Sequence, residues 1–232
     1  MDRPAITLPG NGPVVFTCEH ASERMPSPLQ WPAADAHLVG THWAYDLGAW
    51  ELTEELSEAS QCAAVLANFS RLVVDPNRPL DSPTLFRNIA EGQPVVLNQD
   101  LSAADRELRI AEFYRPYHDA VDRAVAQSSA PQLFSVHTFT PVYEGQPRSM
   151  EIGVLFDRHE AEARALADAL SAAGYGVALN EPYSGKEGLI YSVDLHAQKY
   201  GRVALEIEVR QDLAVDPAYR KRLVAVLVQH LT

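Results

Sequence analysis

The sequence predicts an α/β protein of three layers, in which helices flank a mainly parallel or mixed sheet. Apolar runs of about five residues recur along the chain, and segments with helical spacing of apolar residues separate them. Most of these runs are apolar throughout, which is typical of strands that are buried on both faces. The 232 residues, 47% of them hydrophobic, are expected to form one domain over residues 1–232.

The first half of the chain predicts three strands and two helices. The strands are short apolar runs beside Gly, Asn or Pro, at 14–18, 63–67 and, as a strand or extended run, 71–75. Helical spacing of apolar residues predicts helices at 46–57 and 102–128. Ser102 and Asp105 predict a capping box at the start of the second helix, and Pro116 is expected to kink it.

The second half predicts four strands and two helices. Apolar runs predict the strands at 132–136, 151–156, 176–179 and 203–209. The helices are expected at 161–173, where an Ala-rich amphipathic pattern ends at Gly174, and at 217–231. Strands therefore alternate with helices, as they do in sheets with parallel strands.

Composition argues against several classes of protein. A net charge of −12 repels phosphate backbones and anionic lipid, so neither nucleic acid nor a membrane surface is an expected partner. No stretch approaches the ~20 apolar residues of a membrane helix, and the first residues lack the apolar run of a signal peptide. We therefore expect a cytoplasmic protein. Cys18 and Cys62 form no CxxC motif, which excludes a zinc ribbon and predicts two buried thiols.

Polar side chains accumulate where the predicted strands end. Ligands of open α/β sheets bind beyond the carboxyl ends of the strands, so these side chains predict one site. They are Glu19, His20 and Glu23 after 14–18, Asp75, Asn77 and Arg78 after 71–75, and His137 after 132–136.

Two histidines and an acid predict a metal site. His20 and Glu23 are spaced as neighbours on a helical turn, so one ion could take both, and His137 is the natural third ligand. Imidazole and carboxylate suit Zn²⁺, with one position left open for water. Asp46 is either a further ligand or a helix N-cap. The alternative for both histidines is that they hydrogen-bond loop backbone.

Arg71, Asn77 and Arg78 predict a site for an anion. A guanidinium binds a carboxylate through two parallel hydrogen bonds, and the Asn amide adds donors. The alternative is a structural ion pair between Arg71 and Asp75 in a surface loop.

Glu206 and Glu208 are expected to share one face of a strand, where their charges repel unless a cation is near. A metal or Arg210 could supply that charge, and Arg210 is also a candidate to bind substrate. Beside a metal, a glutamate can act as a general base. The alternative is an edge strand with a solvated acidic face.

Several blocks of sequence resemble the N-formylglutamate amidohydrolase family. The most specific are Ser-Arg-Leu-Val-Val-Asp-Pro-Asn-Arg-Pro at 70–79 and His-Thr-Phe-Thr-Pro at 137–141. The others, in order along nearly the whole chain, lie at 18–22, at Asp46, and at 114–118, 180–183 and 207–213.

The resemblance implies a zinc-exopeptidase-like fold and a set of site residues. It implies that His20, Glu23 and His137 hold zinc, that Asn77 and Arg78 bind the substrate carboxylate, and that Glu208 is the general base. In the amidohydrolase family the position of Glu23 is not reliably acidic, whereas that of Asp46 is, so either acid can be the third ligand.

The expected function is therefore metal-dependent hydrolysis of an N-formyl or N-acyl acidic amino acid such as N-formylglutamate, which releases formate and the amino acid. Arg71 is expected to help polarise the acyl carbonyl. Two enzyme alternatives, a carboxypeptidase-like peptidase and an esterase, would use the same site. An alternative of another class is a metal-free binding protein for acidic metabolites.

Overall fold

The computed structural model describes residues 3–143 and 145–232, which are built around a sheet of seven strands. In chain order the strands are β1 (Ala5–Leu8), β2 (Val14–Cys18), β3 (Ala63–Ala67), β4 (Ile89–Ala90), β5 (Gln93–Pro94), β6 (Gln132–Phe139), β7 (Val142–Tyr143), β8 (Gln146–Pro147), β9 (Ile152–Leu155), β10 (Val177–Leu179) and β11 (Val203–Arg210). The central sheet has the order β1-β3-β2-β6-β11-β9-β10, and β4-β5 and β7-β8 form two small hairpins.

The central sheet is mixed. Strands β3, β2, β6 and β11 run parallel to one another, whereas β1 is antiparallel to β3 and β9 is antiparallel to β11. The carboxyl ends of β2, β6 and β11 therefore meet at one edge, and the start of β9 lies beside them. The register pairs Glu208 with His137 and Glu206 with Ser135.

Helices cover both faces of the sheet, which confirms the predicted three layers. In chain order they are α1 (Ala49–Ser60), α2 (Ala103–Arg109), a π-helical turn (Ile110–Tyr114), α3 (Arg115–Gln127), α4 (Glu160–Ala172), α5 (Tyr191–Tyr200), α6 (Gln211–Ala214) and α7 (Pro217–Leu231). Short 3₁₀ segments lie at Ala33–Leu38, Val96–Asn98 and Gly185–Glu187. Among the described residues, no helix combines the length and the apolarity that crossing a membrane requires.

Two hydrophobic cores lie on opposite faces of the sheet. On one face, leucines of α1, α4 and α7 pack on Phe16 and Phe134, together with the buried Cys18 and Cys62. On the other, Tyr117 of α3 and residues of α5 pack on strand side chains such as Val15 and Leu133. The cysteines are free and buried, as expected.

The structure corrects four local predictions. Residues 71–75 form no strand, and 71–73 form turns, although Leu72, Val73 and Val74 are fully buried. The first helix begins at Ala49 with Gly48 as its N-cap, so Asp46 is not an N-cap. The capping box of Ser102 is present, but the long helix is divided by the π-helical turn just before Pro116. Strand β1 and helix α5 were not predicted.

Candidate active site

A cavity of about 300 Å³ opens beyond the carboxyl ends of the parallel strands. It is lined by most of the residues that the sequence predicts for the site, namely His20, Asp46, Arg71, Asn77, Arg78, His137 and Glu208. Glu206, which the sequence considered together with Glu208, lines it as well, as do residues without a predicted role, among them His42, Trp43, Arg87, Tyr143 and Tyr183.

The alternation of side chains along the strands explains why polar groups face this cavity. Residues two apart share a face, so Ser135 and His137 of β6 lie on the same face as Glu206 and Glu208 of β11. Farther from the carboxyl ends the same face carries Leu133 and other apolar side chains, which belong to the core beneath α3 and α5. The site is therefore the polar end of an otherwise apolar sheet face.

Three buried residues converge at the floor of the cavity. His137 Nδ1 lies 2.8 Å from Asp46 Oδ2, and His20 Nδ1 lies 3.5 Å from the same oxygen. One ligand atom from each of the three residues falls within 4.8 Å of the other two. This separation allows a single cation to contact all three.

Each histidine uses its other ring nitrogen to contact a second carboxylate. His20 Nε2 lies 2.8 Å from Asp75 Oδ1, and His137 Nε2 lies 3.0 Å from Glu19 Oε2. A histidine that binds a metal through one nitrogen typically donates the N–H of the other to such a carboxylate, which fixes the tautomer and the ring orientation. Both Nδ1 atoms are therefore oriented to accept a cation.

The two outer carboxylates are themselves held in place. Asp75 accepts hydrogen bonds from Arg71 Nη2 at 2.7 Å and from the backbone N–H of Asn77 at 2.9 Å. Glu19 is fully buried and accepts hydrogen bonds from the Tyr117 hydroxyl at 2.9 Å and the Ser135 hydroxyl at 2.6 Å. The histidine rings consequently have little freedom to rotate.

Acidic side chains are concentrated in this region and shift the pKa values of their neighbours. Burial alone would raise the pKa of Asp46, but the charge of His20 and the hydrogen bond with His137 lower that pKa overall. Burial likewise opposes a charged His137, yet the charge of Glu206 and the bond to Asp46 raise the pKa of His137 well above its usual value. Burial raises the pKa of Glu206 to about 7 and that of Glu208 well above the ordinary glutamate range.

The donor set fits a divalent metal ion. Three buried atoms, His20 Nδ1, Glu206 Oε2 and Glu208 Oε2, make no hydrogen bond within the described parts of the chain. Buried polar atoms are normally satisfied, and an ion at His20, Asp46 and His137 would satisfy His20 Nδ1 and offset the surrounding carboxylates. Two imidazoles and a carboxylate, with an open side toward a cavity, match the ligand pattern of catalytic zinc.

Residues 71–78, which follow β3 and are called the arginine loop below, lie on the wall of the cavity. Arg71 forms an ion pair with Asp75, which the sequence offered as the alternative to an anion site. Nη1 of Arg71 also lies 3.7 Å from Asp46 Oδ1. Arg78 donates from Nη1 to the carbonyl oxygen of Asn77 at 2.8 Å. The Asn77 amide donates to Leu189 O and accepts from the Ser192 backbone N–H, which leaves one Nδ2 hydrogen without a partner in these contacts.

Two predicted site residues do not line the cavity. Residues 21–26 form no helical turn, so Glu23 is not brought beside His20, and its carboxylate accepts a hydrogen bond from Gly40 N instead. Arg210 ends β11, and its guanidinium binds Asp212 and the carbonyl oxygen of Arg148. Glu206 and Glu208, by contrast, are buried on an interior strand, so the edge-strand alternative is wrong.

A glycine on β9 allows a loop to approach the site. Gly153 lies opposite Glu208, and a Cβ on Gly153 would be 2.0 Å from the carbonyl oxygen of Glu181. The close approach brings the segment 180–183 across the sheet edge, where Tyr183 lines the cavity. Any larger residue at this position would push that segment away.

The sequence places Glu19 and Asp75 among the polar residues at the strand ends, but it predicts no contact of either acid with a histidine. Both acids sit next to predicted site residues in the chain, and that adjacency was the available signal. Their contacts with His137 and His20 span 118 and 55 residues and depend on the order of strands in the sheet.

Comparisons with known proteins identify the family of this chain. The model of the N-formylglutamate amidohydrolase family matches residues 12–215. The N-formylglutamate deformylase of Pseudomonas aeruginosa is 26% identical over 142 residues, which are 56% of this chain and 52% of that protein. The match thus spans only about half the length of this curated relative.

Two crystal structures match nearly the whole fold. That of the gene product Atu2144 from Agrobacterium tumefaciens is 31% identical with a TM-score of 0.93, over 99% of this chain and 94% of the other. The N-formylglutamate amidohydrolase from Ralstonia eutropha JMP134 has a TM-score of 0.74 at 20% identity, over 99% of both chains, which shows the shared fold. Since the family model covers most of the sequence, the chain belongs to the N-formylglutamate amidohydrolase family of hydrolytic enzymes.

Proposed function

We propose that this protein is a metal-dependent amidohydrolase that cleaves the amide bond of N-formylglutamate or a similar N-acyl acidic amino acid, releasing formate and the free amino acid. The observation that carries the proposal is the buried cluster of His20, Asp46 and His137, with a carboxylate behind each histidine. Family membership and the names of the relatives support the substrate.

In this proposal His20, Asp46 and His137 hold the metal, and zinc suits their nitrogen and oxygen donors. A divalent ion in that position supplies Lewis-acid activation of water and of an amide carbonyl. Asp75 and Glu19 keep the two imidazoles oriented. Glu23 and Arg210 have no part in the proposal because their side chains are engaged elsewhere.

The arginine loop binds and orients the substrate. Arg78 lines the cavity, and only its Nη1 donates to Asn77 O in the contacts described above. Its other guanidinium N–H groups bind the α-carboxylate of the amino acid. The remaining Nδ2 hydrogen of Asn77 adds a donor to the same group. Arg71, fixed by Asp75 beside Asp46, directs positive charge toward the carbonyl oxygen of the scissile amide.

Glu208 moves the proton. Its Oε2 is buried, has no hydrogen-bond partner among the described residues and belongs to a residue that lines the cavity. Burial raises the pKa of Glu208 and so favours its neutral form, whereas a cation at the neighbouring cluster would favour the charged form. In the proposed reaction the ionised Oε2 takes a proton from the attacking water and delivers it to the leaving nitrogen. Register holds Glu208 directly opposite His137, so the base and one of the metal ligands are fixed by the same pair of strands.

A release assay tests the proposal. Formate and free amino acid are measured for N-formylglutamate, other N-formyl and N-acetyl amino acids, a dipeptide and an ester, with zinc and after chelation. We expect zinc-dependent release of formate from N-formylglutamate, and a loss of roughly 10²–10³-fold in His137→Ala, the scale expected when a group that supports transition-state charge is removed.

Several outcomes would contradict the proposal. Full activity after chelation rules out the metal mechanism, and preferred cleavage of the dipeptide or the ester replaces the amidohydrolase with a peptidase or an esterase. Tight binding of N-formylglutamate without any turnover in the zinc-loaded protein indicates a metabolite-binding protein instead.

A further inference from the structure

One of the arginines that line the cavity, Arg87, has no role in the proposed reaction. Arg71, Arg78 and Arg87 all face this cavity, although the protein as a whole carries a net charge of −12. Arg71 is paired with Asp75, and Arg78 bonds a backbone carbonyl. The guanidinium of Arg87 makes neither a hydrogen bond nor an ion pair with any residue in the described ranges, although it is only partly exposed.

Arg87 is nevertheless held in a defined position. Its guanidinium carbon lies 5.3 Å from the centre of the Trp43 ring, which also lines the cavity. Its backbone carbonyl accepts a hydrogen bond of 2.7 Å from the buried Asn98. Stacking on a ring uses one face of a guanidinium and leaves the N–H donors at its edge free to bind a planar anion.

The surroundings of Arg87 favour an anion. Burial lowers the pKa of Arg87, and the positive charges of Arg71 and Arg78 lower it further, with only partial compensation from Asp75. Asp75 is already bonded to His20 and Arg71, so it does not neutralise Arg87. A ligand carboxylate would relieve this crowding of like charges.

We infer that Arg87 forms a second carboxylate subsite of the cavity, which takes the side-chain carboxylate of a dicarboxylic N-formyl amino acid while Arg78 takes the α-carboxylate. The inference rests on the proposed function for the reaction but adds the residue that selects acidic side chains. A cavity of about 300 Å³ is of a size suited to a small amino-acid derivative.

The test compares two substrates of nearly equal size. N-formylglutamate and N-formylglutamine differ in the charge of the side chain, so an arginine that binds the side-chain carboxylate favours N-formylglutamate. In Arg87→Gln we expect kcat/KM for N-formylglutamate to fall at least ~30-fold, and kcat/KM for N-formylglutamine to change less than ~3-fold. Wild-type enzyme should prefer N-formylglutamate, and the variant should lose most of that preference.

Arg106→Gln is the matched control. Arg106 also stacks on an aromatic ring, 5.1 Å from the centre of Phe86, but it is exposed and does not line the cavity. We expect both substrates to be hydrolysed at wild-type rates by this variant. Thermal melts of the two variants check that the fold is retained.

Binding gives a readout that does not require turnover. Calorimetry with glutarate and with its monoamide should show tighter binding of the dicarboxylate to wild-type protein and no such preference in Arg87→Gln. If wild-type protein releases no formate, the proposed function fails, but this comparison still decides the subsite. The inference is overturned if Arg87→Gln affects the charged and neutral ligands of a pair equally, or affects neither.

Discussion

At the scale of single residues, the site depends on histidines that each contact two carboxylates. His20 lies between Asp46 and Asp75, and His137 lies between Asp46 and Glu19. Among the described residues, Asp46 is the acid that contacts both rings, and for that reason we propose it as the oxygen ligand of an ion between them. Asp75 and Glu19 contact the opposite ring nitrogens and therefore act by orienting the rings.

This arrangement predicts different effects for the two acids that the sequence left as alternatives. Asp46→Asn should lower zinc affinity at least ~100-fold, because removing even an outer carboxylate partner typically costs 10–100-fold. Glu23→Gln should leave the affinity within ~3-fold, since the Glu23 carboxylate bonds Gly40 N and the amide oxygen of Gln can accept the same bond.

Competition titration against a chromogenic zinc chelator measures both affinities. His230→Gln provides a control for the loss of an exposed side chain. Loss of zinc binding in Glu23→Gln with retention in Asp46→Asn would reverse the assignment and restore the ligand set that His-x-x-Glu spacing suggests.

The sequence predicted which residues line the cavity better than it predicted which of those residues contact one another. His20, His137 and Glu208 were predicted because a polar residue at or near the end of an apolar strand is conspicuous. The pairing of His137 with Glu19 was not predictable from spacing, since it requires β2 and β6 to be neighbours. Glu23 was predicted as a ligand because it follows His20 by three residues. That spacing implies proximity only on a helix, and the segment is not helical.

At the scale of elements, continuous apolar runs identified buried segments but not always strands. The runs 14–18 and 63–67 coincide with β2 and β3. The run 71–75 is as deeply buried, yet it forms no strand, because burial in the core is available to a turn as well as to a strand. Helix α5 was not predicted because its mixed sequence, Tyr191–Tyr200, carries only a weak apolar stripe.

The contact between α3 and α5 contains a buried histidine pair that should make stability depend on pH. His118 Nδ1 lies 3.0 Å from His196 Nε2. Burial, with a smaller contribution from His196, lowers the pKa of His118 to about 4, and burial also lowers the pKa of His196. The charged and titratable groups around the pair are Glu19, Asp122 and Lys199, with Tyr114, Tyr117 and Tyr191 as ring neighbours.

Because the folded-state pKa lies below the unfolded value of ~6.5, the unfolded chain binds more protons between these two values. The stabilisation is therefore fully present above pH 6.5 and is lost as the pH falls toward 4. The His118 shift should reduce the free energy of unfolding by about 2 kcal/mol between pH 7 and pH 4.5.

Urea unfolding at a series of pH values measures this effect. His118→Gln should flatten the dependence by about that amount relative to wild type, whereas His230→Gln, at an exposed position on α7, should not. Equal slopes for wild type and His118→Gln would show that the pair does not titrate in this way.

At the scale of the whole molecule, the fold buries several charged groups of both signs around one cavity. Glu19, Asp46 and Asp75 keep low pKa values there, opposite the Arg71 guanidinium and His137, whose pKa is raised. The overall charge of −12 offers no distant compensation. A cation at the proposed site would take over the compensation that a protonated His137 gives these carboxylates, and charges that are buried without compensation are costly.

Zinc should therefore stabilise the folded chain, in addition to the role proposed for it in the reaction. Free zinc at about 100 times its Kd contributes about 2.7 kcal/mol, which corresponds to a rise in Tm of roughly 5–10 °C for a domain of this size. Magnesium should give a much smaller shift, since it prefers oxygen ligands and the cluster offers two imidazoles. Differential scanning calorimetry of chelated protein with either ion measures both shifts, and the Asp46→Asn variant should lose the zinc response. A zinc-independent Tm in wild-type protein would mean that the buried carboxylates are compensated within the chain and that no bound ion is needed to balance their charge.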